Sequence, residues 1–207
     1  MLQFAEFSRR LQACSPEHLS NATLVALHTH YRLLLKWNER FSLVGPGTLA
    51  DAIELHYGES LAALPLLSTT SRGTLVDIGS GAGFPGFVLA VARPALRAIF
   101  VEPRERKWAF LKRAASESGI AAECLLGDVD RAVPPGFPER AEWVTLRALK
   151  LPERAWEMVS SHLSNDGRVL VWAGREEPVI PREKLRVVRS VPLAGTRWKR
   201  ILELVKL

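Results

Sequence analysis

The chain has 207 residues, 47% of them hydrophobic and 24% charged, with a net charge of +6. That is ordinary globular composition, enough for one hydrophobic core without staples, and it excludes a disordered chain. The longest apolar stretches, residues 33–35 and 87–92, are far too short to span a bilayer. The start, Met1-Leu2-Gln3-Phe4-Ala5-Glu6, has no basic segment followed by an apolar run, so no secretory signal is expected. Cys14 and Cys124 have no partner cysteines at metal-binding spacing. They read as reduced thiols of a cytoplasmic protein without a metal site.

The charge is unevenly spread. Residues 1–67 carry −1, residues 68–181 carry +1, and residues 182–200 carry +6. A second basic run is Arg104, Arg106, Lys107, Lys112 and Arg113, opposed only by Glu105. Clustering of this kind suits a polyanionic partner, the alternative being a solvated face.

Residues 1–67 read as helical. Leu24, Leu27, Tyr31 and Leu34 recur at helical spacing, continued by Trp37, with Asn21 as the expected cap. Residues 42–48 break the pattern with Gly45-Pro46-Gly47, and residues 51–67 are expected to form another helix. Residues 68–73 read as a polar linker, which divides the chain into a helical extension, 1–67, and a second domain, 68–207. Short apolar strands are then expected at 74–78, 98–102, 123–126, 142–146 and 168–172, with helices between them. Pro152 is expected to open the last helix and Asn165-Asp166-Gly167 to end it. Residues 185–188 and 201–205 are expected to pair as a hairpin. Strands alternating with helices imply an α/β fold whose mostly parallel sheet binds ligands outside the strands' carboxyl ends.

The informative segment is Val76-Asp77-Ile78-Gly79-Ser80-Gly81-Ala82-Gly83-Phe84-Pro85-Gly86, which follows a strand and opens a helix. Glycines let the backbone turn sharply and approach a ligand closely, and a helix start offers N–H groups to an anion. Gly81-Ala82-Gly83-Phe84-Pro85-Gly86 matches the dinucleotide fingerprint, with Glu102 following. That reading asks for a second substrate domain, for which few residues remain. The competing pattern is Asp77-x-Gly79-x-Gly81-x-Gly83. It resembles the first motif of Rossmann-like, S-adenosylmethionine-dependent methyltransferases.

Further residues extend this resemblance. Trp37-Asn38-Glu39-Arg40-Phe41-Ser42-Leu43, His56-Tyr57-Gly58-Glu59-Ser60-Leu61, the Gly-Phe-Pro-Gly ending at Gly86, and Arg147-Ala148 together resemble the glucose-inhibited division protein B family. These are bacterial methyltransferases of guanine N7 in 16S ribosomal RNA. The resemblance covers roughly residues 37–174 and implies a Rossmann-like methyltransferase sheet with an N-terminal helical extension. It implies S-adenosylmethionine as cofactor and 16S ribosomal RNA, or a small-subunit precursor, as partner of a cytoplasmic monomer. It also implies that Asp77, Gly79, Gly81, Gly83 and Phe84 form the cofactor loop. Glu102 would hold the ribose, Val129 and Asp130 the adenine, and Arg147 would face cofactor and substrate as the catalytic residue. Gly83→Val is accordingly expected to abolish cofactor binding with the fold largely intact. The chain departs from the family pattern at Ser42-Leu43-Val44 (usually Asn-Leu-Thr), Glu59 (usually Asp), Glu102 (usually Asp) and Ala173 (usually Lys).

Guanine N7 carries a free lone pair, so its methylation needs alignment and water exclusion more than a general base. No acid/base dyad is expected. Arg147 suits donation to guanine O6 or stacking on the base, with a structural ion pair as the alternative. His28 and His30 do not share a helix face, which argues against a metal. His56 reads as a structural hydrogen-bonder. Trp108, Trp143, Trp156 and Trp172 read as core. Trp198, beside Arg197, Lys199 and Arg200, reads as hairpin packing, with stacking on an unpaired base as the alternative. Other readings left open are a methyltransferase with a different target and a non-catalytic RNA-binding protein.

Overall fold

The computed structural model describes residues 1–67, 72–148 and 150–207. The proposed linker and domain boundary at 68–71 lie outside them. Seven strands form one sheet: β1 (Gly73–Ile78), β2 (Leu96–Glu102), β3 (Ala122–Leu126), β4 (Ala141–Arg147), β5 (Leu163–Ala173), β6 (Leu185–Pro192) and β7 (Arg200–Lys206). Their order is β3-β2-β1-β4-β5-β7-β6. The first five run parallel, and β7 pairs antiparallel with both β5 and β6. The dinucleotide-binding sheet of order 3-2-1-4-5-6 is a different arrangement, and the antiparallel β7 departs from it.

The helices are α1 (Phe4–Cys14), α2 (Asn21–Asn38), α3 (Glu59–Leu61), α4 (Gly86–Ala92), α5 (Glu105–Ser118) and α6 (Glu153–His162). Side chains alternate across the strands, so each strand feeds two cores. Leu75, Phe100 and Leu170 point to one, together with Phe7, Leu27, Leu34, Phe87 and Phe110. Val76, Ile99, Val144 and Val169 point to the other, together with Trp156 and Val159 of α6. Burial on both faces explains why the central strands read as apolar runs rather than as alternations. The N-terminal helices therefore share the core of one sheet face. Arg93, beyond α4, fastens them by donating to Leu67 O at 2.8 Å and to Glu17 at 2.8 Å.

Four local expectations need correction. Ser20, not Asn21, caps α2, its hydroxyl accepting from Thr23 N at 3.1 Å. Residues 51–67 do not form one regular helix: Ile53–Gly58 is π-helical, followed by the single turn of α3 and a 3-10 turn at Leu64–Leu66. The last helix ends at His162, and residues 165–167 lie within β5. Trp198 is 53% exposed, not packed in the hairpin. The buried tryptophans are Trp156 and Trp172, whereas Trp108 and Trp143 are half-buried.

Candidate active site

The loop after β1 opens at the carboxyl end of the sheet. Gly79 and Gly81 have φ of +69° and +58°, backbone that L side chains adopt at a cost. The loop borders a cleft of about 430 Å³, within the usual range for a small-molecule site. Of the residues expected to touch a cofactor, Gly79, Gly81, Phe84, Glu102, Val129, Asp130 and Arg147 line this cleft. Asp77 and Gly83 do not line it, and the physical reasons differ.

Asp77 is buried beneath the loop. Its cross-strand neighbour Thr145 donates to Oδ1 at 2.6 Å, while Oδ2 is buried with no hydrogen-bond partner among the described residues. A Cβ at Gly86 would lie 2.2 Å from Asp77 Cβ, so only glycine permits this approach. Burial pushes the Asp77 carboxyl up to about 6 despite the Thr145 hydrogen bond. Gly83, with φ of +91°, packs under the loop, where a Cβ would meet Phe87 Cβ at 2.7 Å and His30 Nε2 at 3.2 Å.

Glu102 is 4% exposed at the end of β2. Its Oε2 accepts from Gly81 N at 2.8 Å and its Oε1 from Arg104 N at 2.9 Å. Each oxygen keeps a lone pair for further donors. At the far side of the cleft, Asp130 Oδ1 is buried and has no hydrogen-bond partner among the described residues. Asp128, which the sequence reading missed, also lines the cleft and accepts from Asp130 N at 3.0 Å. Arg104 and Lys107 stand at the mouth, while Arg106 lies over the Phe41 ring at 5.2 Å. The C-terminal basic run is less free than its composition suggests: Lys184 pairs with Glu157, Arg189 with Glu203 and Arg200 with Glu177.

Arg147 enters the cleft from the end of β4. Its Nη2 donates to Glu59 Oε2 at 2.7 Å and to Leu55 O at 2.6 Å. Lys199 Nζ donates to the other oxygen, Oε1, at 2.7 Å. Glu59 is 7% exposed, so one buried carboxylate joins the helical extension, β4 and the turn before β7. Ala173 pairs with Arg200. The neighbouring Lys199 thus brings a cation to this end of the sheet, where the family pattern has lysine at 173. Nothing local in the sequence marks Glu59 and Lys199 as partners, beyond an acid standing just ahead of the apolar run from Leu61 to Leu67. Among the described residues, Arg147 Nε has no acceptor, which leaves a donor for a ligand.

Two histidines hold the loop from the extension's side. His30 is buried, with Nδ1 2.6 Å from Tyr57 OH and Nε2 2.9 Å from Ala82 O. A neutral ring fits: Nε2–H donates to the carbonyl and Nδ1 accepts from the phenol. His56 stacks on Phe84, ring centroids 5.0 Å apart, and bonds Thr48 Oγ1 at 2.9 Å. Burial lowers both imidazoles to about 4. A His pKa below its unfolded value gives stability that is complete above about pH 6.5 and is lost as pH falls towards 4. Asp77, raised to about 6, works in the opposite sense as pH falls below 6. Comparison with His30→Gln isolates the first effect: wild-type protein should lose about 2 kcal/mol more between pH 7 and pH 5. Urea unfolding at the two pH values measures it, and equal losses would contradict the placement of His30.

Among the described residues no group of three or more metal-ligating side chains occurs, and no helix is long and apolar enough to cross a membrane. Burial raises both cysteine thiols, Cys124 to about 11, which leaves them poor nucleophiles.

Among solved structures, the mitomycin 7-O-methyltransferase MmcR superposes with a TM-score of 0.58 at 17% identity, over 99% of this chain and 72% of that one. A structure described as MtNAS in complex with MTA and tNA gives 0.60 at 15%, over 100% and 90%. At these identities the likeness establishes the fold, a Rossmann-like methyltransferase sheet. Ribosomal RNA small subunit methyltransferase G of Paramagnetospirillum magneticum is 38% identical over 157 residues, 76% of this chain and 74% of that protein. The protein of that name from Anaeromyxobacter dehalogenans is 34% identical over 182 residues, 86% and 81% of the two chains. The family model described as rRNA small subunit methyltransferase G matches residues 23–183. With that match, the loop after β1 and the cleft it borders, the chain belongs to the rRNA small subunit methyltransferase G family.

Proposed function

We propose that the cleft binds S-adenosylmethionine and that the enzyme transfers its methyl group to N7 of a guanine in 16S ribosomal RNA. The observation that carries this reading is the buried Glu102 carboxylate at the end of β2, braced against the glycine loop and facing the same cleft. Each of its oxygens accepts one backbone N–H and keeps a lone pair, which suits two vicinal ribose hydroxyls as donors. The residues present fit the cofactor: Gly79, Gly81 and Phe84 would surround its amino-acid portion, and Val129 would flank the adenine. Asp130, whose Oδ1 lacks a partner, would accept from the adenine amino group. Asp77 and Gly83 act on the cofactor through the loop they shape. When bound, S-adenosylmethionine supplies an electrophilic methyl group on a sulfonium.

The chain's own part is alignment. Guanine N7 loses no proton on attack, which agrees with a cleft whose one lining histidine, His56, is engaged in structure and has its pKa lowered to about 4. Arg147, held by Glu59 and Leu55 O, offers its remaining donors to guanine O6. The extension, residues 1–67, closes one side of the cleft through Leu43, Val44 and His56, on a catalytic unit of residues 68–207. Arg104 and Lys107 at the mouth suit RNA phosphates. On this reading the enzyme works in the cytoplasm, where the small subunit is built.

Glu102→Ala tests the cofactor site. It removes the ribose acceptor and the brace on Gly81 N, at an expected cost of about 1–3 kcal/mol of cofactor binding. Calorimetric titration with S-adenosylmethionine reads this, and unchanged affinity would place the ribose elsewhere.

A further inference from the structure

A second groove, of about 610 Å³, lies beside the cleft at the carboxyl ends of β4 and β5. Ala148 and Leu151 line both spaces. Ala148 is also the described residue other than glycine with positive φ, +54°, and strain of this kind tends to collect at functional sites. The groove's further walls include Trp156, Trp172, Gly174 and Arg175. Trp156 is 3% exposed, and its Nε1–H has no acceptor among the described residues. At the lip, the Arg175 guanidinium lies 4.8 Å from the centroid of the Trp198 ring, itself 53% exposed. Lys150, also lining the groove, pairs with Glu176, both well exposed. Such a pair is weak enough for a phosphate to displace the glutamate.

Resting on the methyltransferase reading above, we infer that this groove seats an unpaired base of the RNA substrate, adjacent to the base presented to the cofactor cleft. A groove lined largely by apolar residues suits a nucleobase. The exposed Trp198–Arg175 stack offers a further face to single-stranded RNA, and Lys150 and Arg175 supply cationic support for the phosphates. Unstacked bases are what proteins read in single-stranded RNA. The position beyond Ala148 puts one such base next to the target.

Gly174 makes the test clean. A Cβ there meets nothing within 4 Å, so Gly174→Phe fills groove space without displacing the core. Wild-type protein is first saturated with S-adenosylhomocysteine to occupy the cofactor cleft. It is then titrated with the four ribonucleoside 5′-monophosphates and, separately, with inorganic phosphate. Nucleotides are expected to bind in the millimolar range and phosphate at least tenfold more weakly. Gly174→Phe should weaken nucleotide binding at least tenfold and Trp198→Ala at least threefold. In methylation assays Gly174→Phe should raise KM for protein-free 16S ribosomal RNA about tenfold. Its kcat, melting temperature and S-adenosylhomocysteine affinity should stay as in the wild type. Unchanged KM and nucleotide affinity in Gly174→Phe would overturn the inference, as would phosphate binding as tightly as the nucleotides. A defect confined to assembled subunits, with naked RNA methylated normally, would overturn it in favour of a protein occupant. Failure of wild-type protein to bind S-adenosylhomocysteine would be distinct, and would overturn the cofactor reading beneath it.

Discussion

Glu59→Ala is expected to lower the free energy of unfolding by about 3–5 kcal/mol, the usual cost of removing one member of a buried ion pair. The carboxylate is nearly inaccessible and holds two cations, Arg147 at 2.7 Å and Lys199 at 2.7 Å. Arg147 is the more deeply buried of the two, with 15% of its side chain exposed, and burial lowers its pKa despite Glu59 and Asp77. Without Glu59 that guanidinium keeps only backbone carbonyls and the His56 ring as near partners. Glu59→Gln, which retains an acceptor, should lose less. Urea unfolding at pH 7 distinguishes these outcomes. A loss under about 1 kcal/mol for the alanine variant would mean that Arg147 does not depend on Glu59.

Gly83→Val should cost about 2–5 kcal/mol of stability and weaken S-adenosylmethionine binding at least tenfold in the protein that folds. The left-handed backbone at φ +91° costs a side chain about 1–2 kcal/mol, and forcing methyl groups into a packed site adds about 1–3 kcal/mol. The neighbours here are Phe87 Cβ and the His30 ring, both fixed in the core. This revises the expectation from sequence that the substitution spares the fold, because Gly83 faces the extension's core rather than the cleft. Gly119, also left-handed but with nothing within 4 Å of a Cβ, provides the contrast: alanine there should cost only the backbone strain. Thermal unfolding alongside calorimetric titration checks both. A Gly83→Val protein with wild-type melting and affinity would contradict the placement of the loop on α2.

What the sequence made legible followed physical distance along the chain. Strands buried on both faces announce themselves as apolar runs, and the glycine loop carries its own local signature, so β1 to β5, the hairpin and the cleft-lining Gly79, Gly81 and Glu102 could be read directly. Residues 53–66 could not, because their π-helical and 3-10 turns follow no single period. His30, alone on the apolar face of α2, gave no sign that it bonds Ala82 O fifty-two residues away. Glu59 and Lys199 meet across 140 residues, a contact made by the sheet's topology and by nothing local. Trp198 was misjudged because a hairpin tryptophan is usually covered, whereas here the turn before β7 leaves its ring open beneath Arg175.

The most direct test of the account uses 16S ribosomal RNA from a strain that lacks this protein. The purified enzyme is incubated with that RNA and methyl-labelled S-adenosylmethionine, and N7-methylguanine is mapped nucleotide by nucleotide in treated RNA, untreated RNA and RNA from the parent strain. The account predicts one guanine that is methylated at N7 in the parent, unmethylated in the deletion strain and restored by the enzyme. An identical N7-methylguanine pattern in parent and deletion strain, with no label transferred, would contradict it.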